Sequence, residues 1–146
     1  FLKIMEKYME RYLYFRTVAD EDNDDGDTAS SGIAPTSIAI PVSSIVGIAP
    51  SAAATVTIWF QSVRNRITGG TGEEVLKDSV VLNVTTRRHK KVMDAIIRAI
   101  NGGPHSDGWI VVADDMTTNT ANATVVANYI HKDLTSCGAI SVAAAA

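Results

Sequence analysis

The sequence predicts an α+β fold: a mostly antiparallel sheet with one principal helix, about residues 86–101, packed on it, and a short N-terminal helix. Three observations carry this. Val92, Met93, Ile96, Ile97 and Ile100 recur at the spacing of one helical face. Thr86 stands before that run, and Gly102-Gly103-Pro104 closes it. β-rich runs lie on both sides, Ser79–Val84 before and Trp109–Ala113 after, in a chain rich in strand-favouring Val, Ile and Thr. The 146 residues suit a single domain with its own core.

In chain order, residues 1–11 put Leu2, Met5 and Met9 on one side of a short helical extension. A helix this short is marginal alone and needs a surface to dock on, its own domain or a neighbouring chain. Tyr12–Val18 reads as a strand with Leu13 and Phe15 on one face and Tyr12, Tyr14 and Arg16 on the other. Residues 19–32 form an acidic surface loop. Asp20, Glu21, Asp22, Asp24, Asp25 and Asp27 repel one another, and few apolar groups accompany them.

Two short β-like pieces follow, 37–42 and 43–48, with a bend or edge at Pro41 and a turn at Ala49-Pro50-Ser51. Thr55–Val63 is the longest strand candidate. Val56, Ile58 and Phe60 face one way; Thr57, Trp59 and Gln61 face the other. Residues 64–77, with Gly69, Gly70 and Gly72, read as a hairpin connection, since the phosphate-loop spacing is missing. Ser79–Val84 pairs with the preceding strand and leads into the helix. Pro104–Gly108 is a turn. Trp109–Ala113 is apolar throughout and suits burial on both faces, and Asp114-Asp115 terminates it. Residues 117–128 are a surface loop or a weak strand, and Gly138–Val142 is a last short strand.

Charge gives a pattern, not a class. The net charge is −3. Outside the six acids of the loop, 13 basic residues face 10 acidic ones, a net of about +3. No apolar run approaches the roughly 20 residues of a membrane span. The charged N-terminus has neither the form of a signal peptide nor that of a pilin helix. Because the first residue is Phe rather than Met, a few residues are expected to be missing or removed there. One cysteine, Cys137, makes neither an internal disulfide nor a zinc cage.

No catalytic, cofactor or metal site is expected. His89, His105 and His131 show no metal-ligand spacing. A Cys137–His131 nucleophile pair lacks an orienting third group. Asp114 and Asp115, adjacent on a strand, point to opposite faces and read as turn caps. An EF-hand register from Glu21 places Gly32 where a bidentate Glu belongs, so that reading fails. The interface candidates are Tyr12, Tyr14, Trp59, Arg87, Arg88, Lys90, Lys91 and Trp109. Trp59 either packs on a neighbouring loop or anchors an interface. The four cations form a solvated face or pair with the acidic loop of a neighbouring copy; nucleic-acid binding is not expected of so small a cluster without interleaved aromatics.

The strand order, the Val84-Thr85-Thr86-Arg87-Arg88-His89-Lys90-Lys91-Val92-Met93 start of the helix, the segment Ser106-Asp107-Gly108-Trp109-Ile110-Val111-Val112-Ala113-Asp114-Asp115, and Tyr129–Thr135 carry a likeness. Over Tyr12 to Val142 the chain resembles small virion structural proteins of marine tailed bacteriophages, particularly those infecting cyanobacteria. The resemblance implies a non-enzymatic, self-assembling component of the virion, a capsid decoration or cement subunit. Its partners would be copies of itself and a major capsid protein, with no membrane and no cofactor. A tail, fibre or extracellular filament subunit is the alternative. Exposed edges of small apolar and Thr-rich strands would suit assembly by edge pairing.

Overall fold

A computed structural model describes residues 10–23, 35–61, 77–102 and 108–142. Its strands are β1 (Tyr12–Arg16), β2 (Ser37–Pro41), β3 (Ile45–Ala52), β4 (Thr55–Gln61), β5 (Lys77–Val84), β6 (Trp109–Asp114), β7 (Asn128–Tyr129) and β8 (Leu134–Ser141), with one helix, α1 (His89–Gly102). The expected α+β fold is corrected by this arrangement. The strands divide into two sheets of four, ordered β2-β1-β6-β7 and β3-β4-β5-β8. The second is antiparallel throughout. The first is mixed, because β1 and β6 run parallel at its centre. The expected N-terminal helix lies outside the described residues as far as residue 9, and Glu10 and Arg11 are not helical. The glycine-rich connection and most of the 104–108 turn also lie outside them.

One apolar cluster joins the two sheets. Leu13, Phe15, Ile40, Ile110 and Val112 enter it from the first sheet. Val56, Ile58, Phe60, Val80, Leu82, Val84 and Ile140 enter it from the second. Period-two patterning marks those of β1, β4 and β5; β6, expected to be buried on both faces, instead alternates, with Ile110 and Val112 buried and Trp109 44% exposed. The Phe15 and Phe60 rings meet edge to face across the cluster, centroids 6.1 Å apart at 73°. Such a contact adds about 1 kcal/mol beyond the area it buries.

Helix α1 buries Val92 and Ile96 in the same cluster and packs against β3, β4 and β6. Met93, Ala99 and Ile100 flank them, while Ile97 is exposed. The helix begins at His89, not near Thr86. Arg87 takes a left-handed φ of 65°, which ends the strand path in a turn rather than a helix. That turn is pinned: the Arg87 N–H donates to Ala53 O at 3.1 Å, and the Arg88 N–H to Thr85 O at 2.9 Å. The Arg88 carbonyl accepts the first bond of the helix, from the Val92 N–H. The ring of His89 donates from Nε2 to the Ala52 carbonyl at 2.7 Å. The helix start is thereby tied to the β3–β4 connection.

Other boundaries also move. β3 continues through Pro50 to Ala52, where a turn was expected. An edge strand tolerates proline because its missing N–H faces away from the ladder. A 3-10 turn, Val42–Ser44, separates β2 from β3 and passes the chain from the first sheet to the second. β8 starts at Leu134, four residues before the expected Gly138. β7 is reduced to Asn128–Tyr129. At Gly108, φ is +74°, and a Cβ would stand 3.0 Å from Glu10 O. Glycine lets the backbone close up there, so that Tyr12 N–H donates to Gly108 O at 2.8 Å and β1 starts beside β6.

Candidate functional site

The outer face of the first sheet is built in rows by its register. Pro41, Tyr12 and Trp109 are lateral neighbours on β2, β1 and β6. Ala39, Tyr14 and Val111 form the next row. None of these six side chains is charged. Tyr12 is 41% exposed and Trp109 44%. The Tyr14 ring lies 4.9 Å from that of Trp109, tilted by 31°. Three of the eight expected interface residues, separated by nearly a hundred positions in sequence, thus share one surface.

A third row closes this face: Ser37, Arg16 and Asp114. Arg16 is only 2% exposed. Its guanidinium is folded under the following segment, with Nε donating to Val18 O at 2.9 Å and Nη2 to Asp20 O at 2.8 Å. Asp114 Oδ1 stands 3.9 Å from Nε. The buried charge therefore has both a carboxylate and carbonyl acceptors, as burial requires.

The polar corner next to it was missed in the sequence. Asp115 reads there as a turn residue. In the structure its carboxylate accepts from the Tyr129 hydroxyl at 2.6 Å and from the Cys137 N–H at 3.0 and 3.2 Å. Burial, then the neighbouring Asp115 charge, pushes the Cys137 thiol up to about 12. A thiol held neutral in this way is a poor nucleophile. Tyr129 is raised as well, by burial first and then by its bond to Asp115. His131 turns to Asp133 instead of Cys137: its Nδ1 accepts from the Asp133 N–H at 3.1 Å. Among the described residues, no three His, Cys, Asp or Glu side chains gather as a metal-binding group.

The remaining candidates lie apart from the aromatic face. Trp59 is on the second sheet, half-buried between Gly47 of β3 and Ser79 of β5. Arg87, Arg88, Lys90 and Lys91 are exposed together at the start of α1. His105 lies outside the described residues. No helix among the described residues is long and apolar enough to cross a membrane, which leaves β-barrel spanning untouched.

The strand edges are blunted. β2 carries Pro41 and β3 carries Pro50, and neither residue can donate to an added strand. On β8 the Cys137 N–H is already taken by Asp115. β7 offers only two residues. These are the devices by which sheets resist edge-to-edge pairing.

No protein-family model, curated protein or solved structure matches the chain. Its chemistry rests on the geometry above: two uncharged, aromatic rows on the first sheet, an exposed basic patch, and a polar corner that joins two sheets.

Proposed function

We propose that this chain is a non-enzymatic structural protein that self-associates, a virion component of the capsid decoration or cement kind. A subunit of a tail, fibre or extracellular filament is the second reading. The observation that carries self-association is the outer face of the first sheet. A solvent-facing sheet surface is ordinarily polar. Here Tyr12, Tyr14 and Trp109 stand among Pro41, Ala39 and Val111 without one charge. Loss of charge with enrichment of aromatics is the composition of interface centres. The blunted edges favour docking through this face over strand addition. The virion setting rests on the resemblance of the Ser106–Asp115 and Tyr129–Thr135 segments.

Sedimentation velocity across a wide concentration range tests the reading. The wild type should associate, and Tyr12→Ser with Trp109→Ser should shift it toward monomer while the circular dichroism spectrum holds. A wild type that stays monomeric at every concentration overturns self-association. Gold-labelled antibody on purified tailed-phage particles tests the setting. Label on the shell supports decoration, label on the tail supports the second reading, and unlabelled particles count against both.

A further inference from the structure

Arg87, Arg88, Lys90 and Lys91 crowd one turn of chain, all exposed. Among the described residues the Lys and Arg ion pairs are Arg16–Asp114 and Arg98–Asp94, and neither includes these four. Asp94 is the first acid along α1, and Arg98 occupies it at 2.9 Å. The first turn of the helix holds no acid at all. The four cations therefore repel one another, and they also lie at the helix end whose dipole disfavours positive charge. Within one copy the described structure shows nothing that offsets this.

The same chain carries the complementary surface. Asp20, Glu21 and Asp22 lie in the turn after β1. Asp20 Oδ1 accepts from the Asp22 N–H at 3.0 Å, and Glu21 Oε2 from the Thr120 N–H at 3.1 Å. Those bonds hold the carboxylates in place without neutralising them. Arg16 donates to the Asp20 carbonyl oxygen of this turn. No described Lys or Arg pairs with the three acids.

We propose that in the self-associated protein the basic patch Arg87, Arg88, Lys90 and Lys91 of one copy seats against the acidic turn Asp20–Asp22 of a second copy. The inference rests on the self-association reading and adds a second, electrostatic contact to the aromatic face. Because the two patches differ, the contact is either made twice across a two-fold axis, as an isologous pair, or made once head to tail, which closes into a ring or propagates. Exposed pairs of this kind select partner and orientation more than they add affinity. They are also screened, since the Debye length falls from about 10 Å at 0.1 M salt to about 3 Å at 1 M.

The test uses the full chain in sedimentation experiments at low and high salt, with two charge-reversal variants. These are Arg88→Glu with Lys91→Glu, and Glu21→Lys with Asp22→Lys. Salt should weaken wild-type association on the order of tenfold. Each variant alone should associate less than wild type, and an equimolar mixture of the two should recover it. If the acidic-side variant fails to fold, the basic-side variant and the salt series still decide. Association that ignores salt and both variants, yet is lost with Trp109→Ser, overturns this contact and leaves self-association standing. A monomeric wild type overturns both. A labelled DNA duplex bound by wild type but not by the basic-side variant, with association unchanged, assigns the patch to nucleic acid and overturns the proposal.

Discussion

The carboxylate of Asp115 clasps the backbone of Cys137, with its two oxygens 3.0 and 3.2 Å from one N–H. Asp115 follows β6 of the first sheet, and Cys137 lies in β8 of the second. One side chain therefore bonds across the two sheets, and Tyr129 steadies it from the first-sheet side at 2.6 Å. Asp115→Ala removes the acceptor and leaves a part-buried N–H without a partner. The expected loss is about 1.5–3 kcal/mol, the range for a hydrogen bond to a charged group. Asp115→Asn keeps one oxygen acceptor and should lose roughly half as much. Urea denaturation measures both. An unchanged midpoint for the alanine variant would remove the clasp from the account of stability.

Alkaline pH should weaken the fold through the same corner. The Cys137 thiol ordinarily ionises near 9.0 and is pushed up to about 12 here, by burial first and then by Asp115. Tyr129 is raised from 10.0, by burial first and then by its bond to Asp115. Both groups are neutral when protonated, and the folded chain holds their protons longer than the unfolded chain does. Unfolding thus releases protons in that range, and stability falls with rising pH. The contribution is fully present below pH 9.0 and is lost as pH climbs toward about 12. Thermal melts at neutral pH and at pH values between these limits should show the fall. Cys137→Ala should make it shallower, and an equally steep fall in that variant would assign the effect elsewhere.

How far the sequence revealed the molecule depended on how local each signal was. The Val92–Ile96 stripe of α1 and the inward faces of β1, β4 and β5 follow from side-chain period alone, and the structure places them in the core. The division into two sheets does not. β1 pairs in parallel with β6, so Tyr12 sits beside Trp109 across 97 positions of sequence, and nothing local specifies that partner. The same pairing assembles the aromatic face, whose members were visible singly but not as one surface. Asp115 stayed hidden for a related reason. A turn acid and a clasp between sheets have the same sequence; only the position of Cys137 separates them. Thr86 misled because a good capping residue does not act when the next residue turns left-handed, as Arg87 does.

Two strand glycines should respond oppositely to the same substitution. A Cβ on Gly138 would stand 2.8 Å from the Val81 carbonyl oxygen and 3.3 Å from the Val81 Cβ. The first obstacle is backbone in the adjacent strand β5, so relief requires the sheet to shift. Gly138→Ala should destabilise by about 1–3 kcal/mol, the usual cost of overpacking. At Gly47 on β3 a Cβ meets nothing within 4 Å. Gly47→Ala should then be neutral or stabilising by about 0.4–1 kcal/mol, since it restricts the unfolded chain. Comparing the two denaturation midpoints tests the register of β5 with β8. Equal effects would place the tight approach somewhere other than Gly138.

Two arginines near α1 should differ in the same way, for electrostatic reasons. Arg11, just before β1, donates from Nη1 to the Ile100 carbonyl in the last turn of the helix. That carbonyl has no later helical N–H to bond, and the helix dipole favours a cation there. Arg11 also joins segments 89 positions apart, so its loss frees the helix end from the start of β1. Arg11→Ala should cost about 1 kcal/mol and speed amide exchange in the last turn of α1. Arg98 pairs with Asp94 one turn away at 2.9 Å, but the two side chains are 79% and 56% exposed. Water screens that pair, and Arg98→Ala should cost no more than about 0.5 kcal/mol. Hydrogen exchange separates the roles further, because Arg98→Ala should leave the Ile100 turn as protected as in wild type. If Arg98→Ala proved the more damaging of the two, the helix would be held by its own surface rather than by its tie to β1.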